Sequence, residues 1–76
     1  MTLDELKIGE SGTVLSVKFD SKMRNRLSAM GITPGVRVTC LRYAPSGNPV
    51  EYRIMGYNLA LRRADAAKIV IVEDGV

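Results

Sequence analysis

A chain of 76 residues with one cysteine and no histidine lacks the material that most catalytic and metal-binding sites use. At this length it forms one domain, residues 1–76, that buries roughly 60% of its unfolded surface and has little volume for a deep cleft, while 46% hydrophobic and 25% charged residues exclude intrinsic disorder. Its net charge of +3 is uneven: between Lys18 and Arg63 nine basic residues face only Asp20 and Glu51, a local balance of +7 that suits an acidic partner or, more plainly, a solvated surface.

In chain order, Gly9 and Gly12 flank Glu10-Ser11 as a turn that launches a first strand, Thr13 to Phe19, with Leu15, Val17 and Phe19 on its inward face. Asp20 then stands where a helix N-cap belongs, and Phe19, Met23, Leu27 and Met30 recur at helical spacing. Gly31 followed by Ile32 and Pro34 describes a Schellman-type stop, in which Ile32 folds back on Leu27. A second strand, Val36 to Tyr43, turns Val36, Val38 and Cys40 inward and Arg37, Thr39 and Leu41 outward.

The segment Ala44-Pro45-Ser46-Gly47-Asn48-Pro49 is dense in turn residues and leads into Val50 to Met55, where Val50, Tyr52 and Ile54 alternate inward, so a hairpin is expected. Gly56-Tyr57 suits a two-residue turn into a fourth strand, Asn58 to Arg62, carrying Leu59 and Leu61. A single helical turn at Ala64 to Ala67 and a fifth strand at Lys68 to Glu73 complete the pattern. Five short strands broken by one helix after the first favour a mostly β, SH3-like five-stranded barrel, closed or half-closed, because closure removes sticky strand edges.

The chemistry available is narrow. Cys40 has no histidine to activate it and falls on an inward strand face, where a buried structural thiol is the expected state. No phosphate-binding glycine loop occurs, and Met23 and Met30 belong to the helix face that packs on the sheet. The carboxylates Asp4, Glu5 and Glu10 near one end and Asp65, Glu73 and Asp74 near the other meet only if the termini do, so direct Fe(II) binding there rests on charge alone. Tyr43 beside Arg42 and Tyr52 beside Arg53 are ingredients of a sheet that stacks bases, which makes a small basic nucleic-acid-binding or regulatory module the second reading. The acidic start, Met1-Thr2-Leu3-Asp4-Glu5-Leu6, does not read as a signal peptide, and Ile69 to Val72 is far shorter than a membrane span, so a cytoplasmic chain is expected.

Four segments taken in order are more specific: Leu27 to Gly35 (LSAMGITPG), Arg42 to Pro49 (RYAPSGNP), Leu59 to Arg62 (LALR) and Ala66 to Val72. Together they make the chain resemble the FeoA family from about Leu3 to Val72, with Asn48 standing where members usually carry aspartate. The resemblance implies a small cytoplasmic SH3-like accessory protein of bacterial ferrous iron uptake. It would dock on the GTP-binding part of the membrane transporter FeoB and modulate its Fe(II) transport or GTPase activity. Such a protein is not an enzyme, needs no cofactor or metal of its own, takes no nucleic acid, and meets the inner face of the plasma membrane only through its partner; weak self-association is left open. Glycine and proline stiffen two segments that would then present themselves at little ordering entropy. The candidate partner-binding residues are Leu27, Met30, Gly31, Pro34, Arg42, Ala44, Pro45, Gly47, Pro49 and Arg62.

Overall fold

Residues 1–74 are described by the structure, a computed structural model. A 3-10 turn at Leu3–Glu5 precedes β1 (Ser11–Val17), α1 (Ser21–Ala29), β2 (Arg37–Tyr43), β3 (Val50–Ile54), β4 (Tyr57–Leu61), α2 (Arg63–Ala66) and β5 (Ile69–Glu73). The strands form one antiparallel sheet in the order β4-β3-β2-β1-β5. Its inward face carries Val14, Val38, Cys40, Val50, Tyr52, Ile54, Leu61, Ile69 and Ile71, joined by Leu3, Leu6, Leu27, Ile32 and Ala66 in one buried cluster. Each fully buried leucine or isoleucine there contributes roughly 1.5–3 kcal/mol relative to exposure.

The expected barrel is half-closed. β4 and β5 lie at opposite ends of the sheet and do not pair, so closure falls to the N-terminal segment. Thr2 bridges Val70 of β5, and the Ile71 N–H donates to the Met1 carbonyl at 2.9 Å. From the other side of the core, the Tyr52 hydroxyl donates to the Leu3 carbonyl at 3.4 Å and the Tyr43 hydroxyl to the Leu6 carbonyl at 3.3 Å. Residues Met1–Leu6 thus run along β5 and reach across the core to β2 and β3, leaving β4 unjoined.

Two bulges correct the expected alternation. On β1, Val14 opposes Ile71 while Ser16 opposes Val70, which leaves Leu15 as the extra residue. Val14 and Val17 therefore face the core, and Leu15, expected inward, is 52% exposed. On β2, Cys40 opposes Tyr52 while Arg42 opposes Glu51, so Leu41 is extra and Tyr43 turns inward against Val50. Gly12 belongs to β1 rather than to a turn, paired with Val38 and Glu73, and a Cβ there would sit 2.7 Å from Ile71 Cδ1 and 2.9 Å from the Val72 carbonyl. The hairpin turn falls one residue earlier than expected, on Met55 (φ 49) and Gly56 (φ 89), a type I′ geometry whose twist matches the strands it joins.

α1 forms for the reasons its sequence states. The Asp20 carboxylate accepts from the Met23 N–H at 2.9 Å. At the other end Gly31 takes φ 93, its N–H donates to the Ser28 carbonyl at 3.0 Å and the Ile32 N–H to the Leu27 carbonyl at 2.9 Å, the paired bonds of a Schellman stop. Only Leu27 of the helix is buried; Met23 and Met30 pack against the core from its margin.

Candidate docking site

The loop between β2 and β3 is built by its own short-range bonds. The Gly47 N–H donates to the Ala44 carbonyl at 2.7 Å, the Ala44 N–H to the Pro49 carbonyl at 3.0 Å, and the Ser46 hydroxyl to the Asn48 carbonyl at 2.9 Å. The Asn48-Pro49 peptide is cis. Pro45, Ser46, Asn48 and Pro49 are exposed at the tip, whereas Ala44 and Gly47 are half-buried.

Arg63, absent from the expected set, holds this loop against the body of the protein. Its Nε donates to the Gly47 carbonyl at 2.5 Å, its guanidinium lies 4.6 Å from the centroid of the Tyr43 ring, and its backbone N–H donates to the Asn48 Oδ1 at 3.0 Å. The last bond also satisfies a free N–H in the first turn of α2. Asn48 serves there through an oxygen that aspartate would supply equally. An arginine following Arg62 reads in sequence as one more surface cation; the one available signal was Tyr43, placed by the bulge where a cation can stack on it.

Of the expected partner-binding residues, Leu27 is withdrawn: at 2% exposure it is part of the core, held there by the helix stop. The other nine divide into two groups. Arg42, Ala44, Pro45, Gly47, Pro49 and Arg62 gather at the end of the sheet where β3 begins and β4 finishes, since Val50 opposes Leu61. Met30, Gly31 and Pro34 lie elsewhere: a side chain at Gly31 would meet the Tyr57 hydroxyl at 3.0 Å and Ile54 Cγ2 at 3.6 Å, at the far end of β3. The length of β3, about 13 Å, separates the two groups. Pro34 also edges a cleft of about 370 Å³ between α1 and β1, lined by Ser21, Arg24, Asn25 and Ser28 opposite Ser16 and Val17.

The cations are spread rather than focused. Arg37 pairs with Asp74 at 2.6 Å and Arg42 with Glu51 at 3.6 Å, both as surface pairs of small energetic value. Lys22, Arg24 and Arg26 stand exposed on α1, and Arg53 and Arg62 on and after the β3–β4 hairpin. Tyr52 is fully buried and Tyr43 is covered by Arg63, so the two tyrosines named for base stacking are both occupied. The Cys40 thiol is buried, and burial pushes its pKa up, away from thiolate reactivity. The terminal carboxylates do partly meet: Glu10 lies close enough to Glu73 to raise its pKa by repulsion. Among the described residues no three of histidine, cysteine, aspartate and glutamate converge as a metal site would need, and no helix is long and apolar enough to cross a membrane.

Comparison with known proteins settles the lineage. The family model described as FeoA domain matches residues 1–73. The chain belongs to the FeoA family. It is 42% identical over 71 residues to an Fe(2+) transport protein A/Fe(2+) transporter FeoB fusion protein of Porphyromonas gingivalis, covering 93% of this chain but only 8% of that protein's length. The FeoA protein of Chlorobium tepidum superposes with a TM-score of 0.87 at 38% identity, over 93% of this chain and 68% of that one. FeoA of Stenotrophomonas maltophilia, solved with zinc and described as a prokaryotic SH3 domain protein, gives 0.82 at 29% identity, over 95% and 89%. The mostly β, SH3-like architecture expected from the strand pattern is therefore that of the family.

Proposed function

We propose that this FeoA-family chain is a cytoplasmic accessory protein of ferrous iron uptake, which docks on the GTP-binding part of a FeoB-type membrane transporter and modulates its Fe(II) transport or GTP hydrolysis. The observation that carries this reading is the Porphyromonas gingivalis relative, in which a segment 42% identical to this chain is fused to FeoB. Two functions joined in one polypeptide work at high effective concentration, and separate chains achieve the same end by binding one another. The geometry supports a role without chemistry of its own: the single thiol is buried, and the exposed β2–β3 loop is proline-bounded and pinned by Arg63. A rigid loop docks with little loss of conformational freedom.

The test is genetic and biochemical together. Cells lacking this chain should take up Fe(II) more slowly than the parent at micromolar iron, with recovery on re-expression, and the chain should change the GTP hydrolysis rate of the isolated transporter. Normal uptake without the chain, together with an unchanged hydrolysis rate, would sink the proposal.

A further inference from the structure

We propose that the outer edge of β4 is the docking element, and that it takes an extended acidic segment of the protein partner as a sixth strand. This rests on the reading that the chain works by docking. The two-residue turn at Met55-Gly56 makes Ile54 and Tyr57 a hydrogen-bonded pair and so fixes the phase of the whole hairpin. Tyr57, Leu59 and Leu61 direct their backbone groups at β3, while Asn58 and Ala60 direct theirs outward. Among the described residues, no loop, cap or side-chain bond reaches the main chain of Asn58 or Ala60. The Asn58 side chain does not cover the edge either, because its Nδ2 donates to Glu51 on β3 at 3.1 Å.

The two edges differ: β5 is covered by Thr2 and by the Met1 carbonyl, whereas among the described residues no segment covers β4. Its sequence, Tyr57-Asn58-Leu59-Ala60-Leu61, holds no lysine or proline, and its five pairs with β3 run without a bulge. Such a strand presents a template for one more.

Charge selects the occupant. A second copy paired about a two-fold axis, with Asn58 opposite Ala60, would bring together the exposed Arg53 and Arg62 of both copies, in a chain already at +3. The nearby carboxylate, Glu51, is engaged by Arg42 and Asn58. An extended segment with acidic side chains on its outward face satisfies the same backbone groups and meets Arg53 and Arg62 with opposite charge.

The experiment is amide hydrogen exchange of the full chain, alone and with the cytoplasmic GTP-binding region of the FeoB protein from the same organism. Exchange at Asn58 and Ala60 should be fast in the free chain and at least about tenfold slower in the complex. Ala60→Pro removes one outward N–H that no ladder bond uses, and should weaken binding about tenfold or more while protection at Tyr57, Leu59 and Leu61 persists, showing that the hairpin is folded. Arg53→Glu should weaken binding as well. Binding without protection at Asn58 and Ala60 would overturn the edge proposal and leave docking intact. No binding at tens of micromolar would remove the docking reading and this proposal with it. Slowed exchange at these amides in a concentrated solution of the chain alone would make the edge a self-pairing site and overturn the acidic occupant.

Discussion

Replacing Arg63 with alanine should loosen the β2–β3 loop and lower stability by about 2 kcal/mol. The side chain supplies a charged hydrogen bond to the half-buried Gly47 carbonyl, of a kind that contributes about 1.5–3 kcal/mol when the acceptor is otherwise unpaired. Its stacking on Tyr43 at 4.6 Å adds about 0.5–1 kcal/mol. Water reaching the freed carbonyl offsets part of this, and the backbone bond to Asn48 survives the substitution. For a domain of this size a loss of 2 kcal/mol lowers Tm by roughly 8–16 °C. Urea unfolding of Arg63→Ala, Tyr43→Leu and the double variant gives the loss and the coupling between the two side chains, expected at about 0.5–1 kcal/mol. Arg63→Lys keeps the charge but not the planar guanidinium, and should recover about half of the lost stability. An Arg63→Ala variant within about 0.5 kcal/mol of the parent, or a coupling of zero, would refute the claim that Arg63 pins the loop.

Three further outcomes follow from the core and the helix stop. Gly31→Ala should cost about 1–2 kcal/mol in equilibrium unfolding, because alanine resists φ 93; adding Tyr57→Phe, which removes the hydroxyl 3.0 Å away, should leave the loss unchanged. Burial raises the pKa of Tyr52, so above pH of about 10 the unfolded chain releases this proton and the folded chain does not; stability falls as pH rises from there, and Tyr52→Phe should flatten that fall in urea midpoints taken across the alkaline range. The Cys40 thiol should react with an aromatic disulfide reagent at least ~100-fold more slowly in the folded protein than in urea, and rapid labelling of the native chain would show that it is not the inert core residue described above.

The helix was legible in full, because Asp20, Leu27, Gly31 and Ile32 each act through local geometry that a sequence states directly. β3 was equally plain, its alternation of Val50, Tyr52 and Ile54 running uninterrupted to the turn. β1 was misread at Leu15, and the alternation expected of β2 fails after Cys40, for one reason: a bulge shifts the period by a residue, and nothing in the composition marks Leu15 or Leu41 as the extra one. The role of Arg63 was hidden because it depends on that shift, which carries Tyr43 under the guanidinium across a separation of twenty residues. The resemblance named the loop and the helix corner as one set of candidate residues, yet β3 holds them apart, since shared motifs carry no information on distance. The free edge at β4 was obscured by the expectation of closure, which the N-terminal segment provides on the β5 side alone.

The docking claim is tested most directly by calorimetric titration of the full chain into the GTP-binding region of the FeoB protein from the same organism, at physiological salt and with nucleotide present. A saturable one-to-one interaction with a Kd at or below tens of micromolar is predicted, weakened by Ala60→Pro. The absence of heat, backed by the absence of chemical-shift changes at the same concentrations, would contradict it.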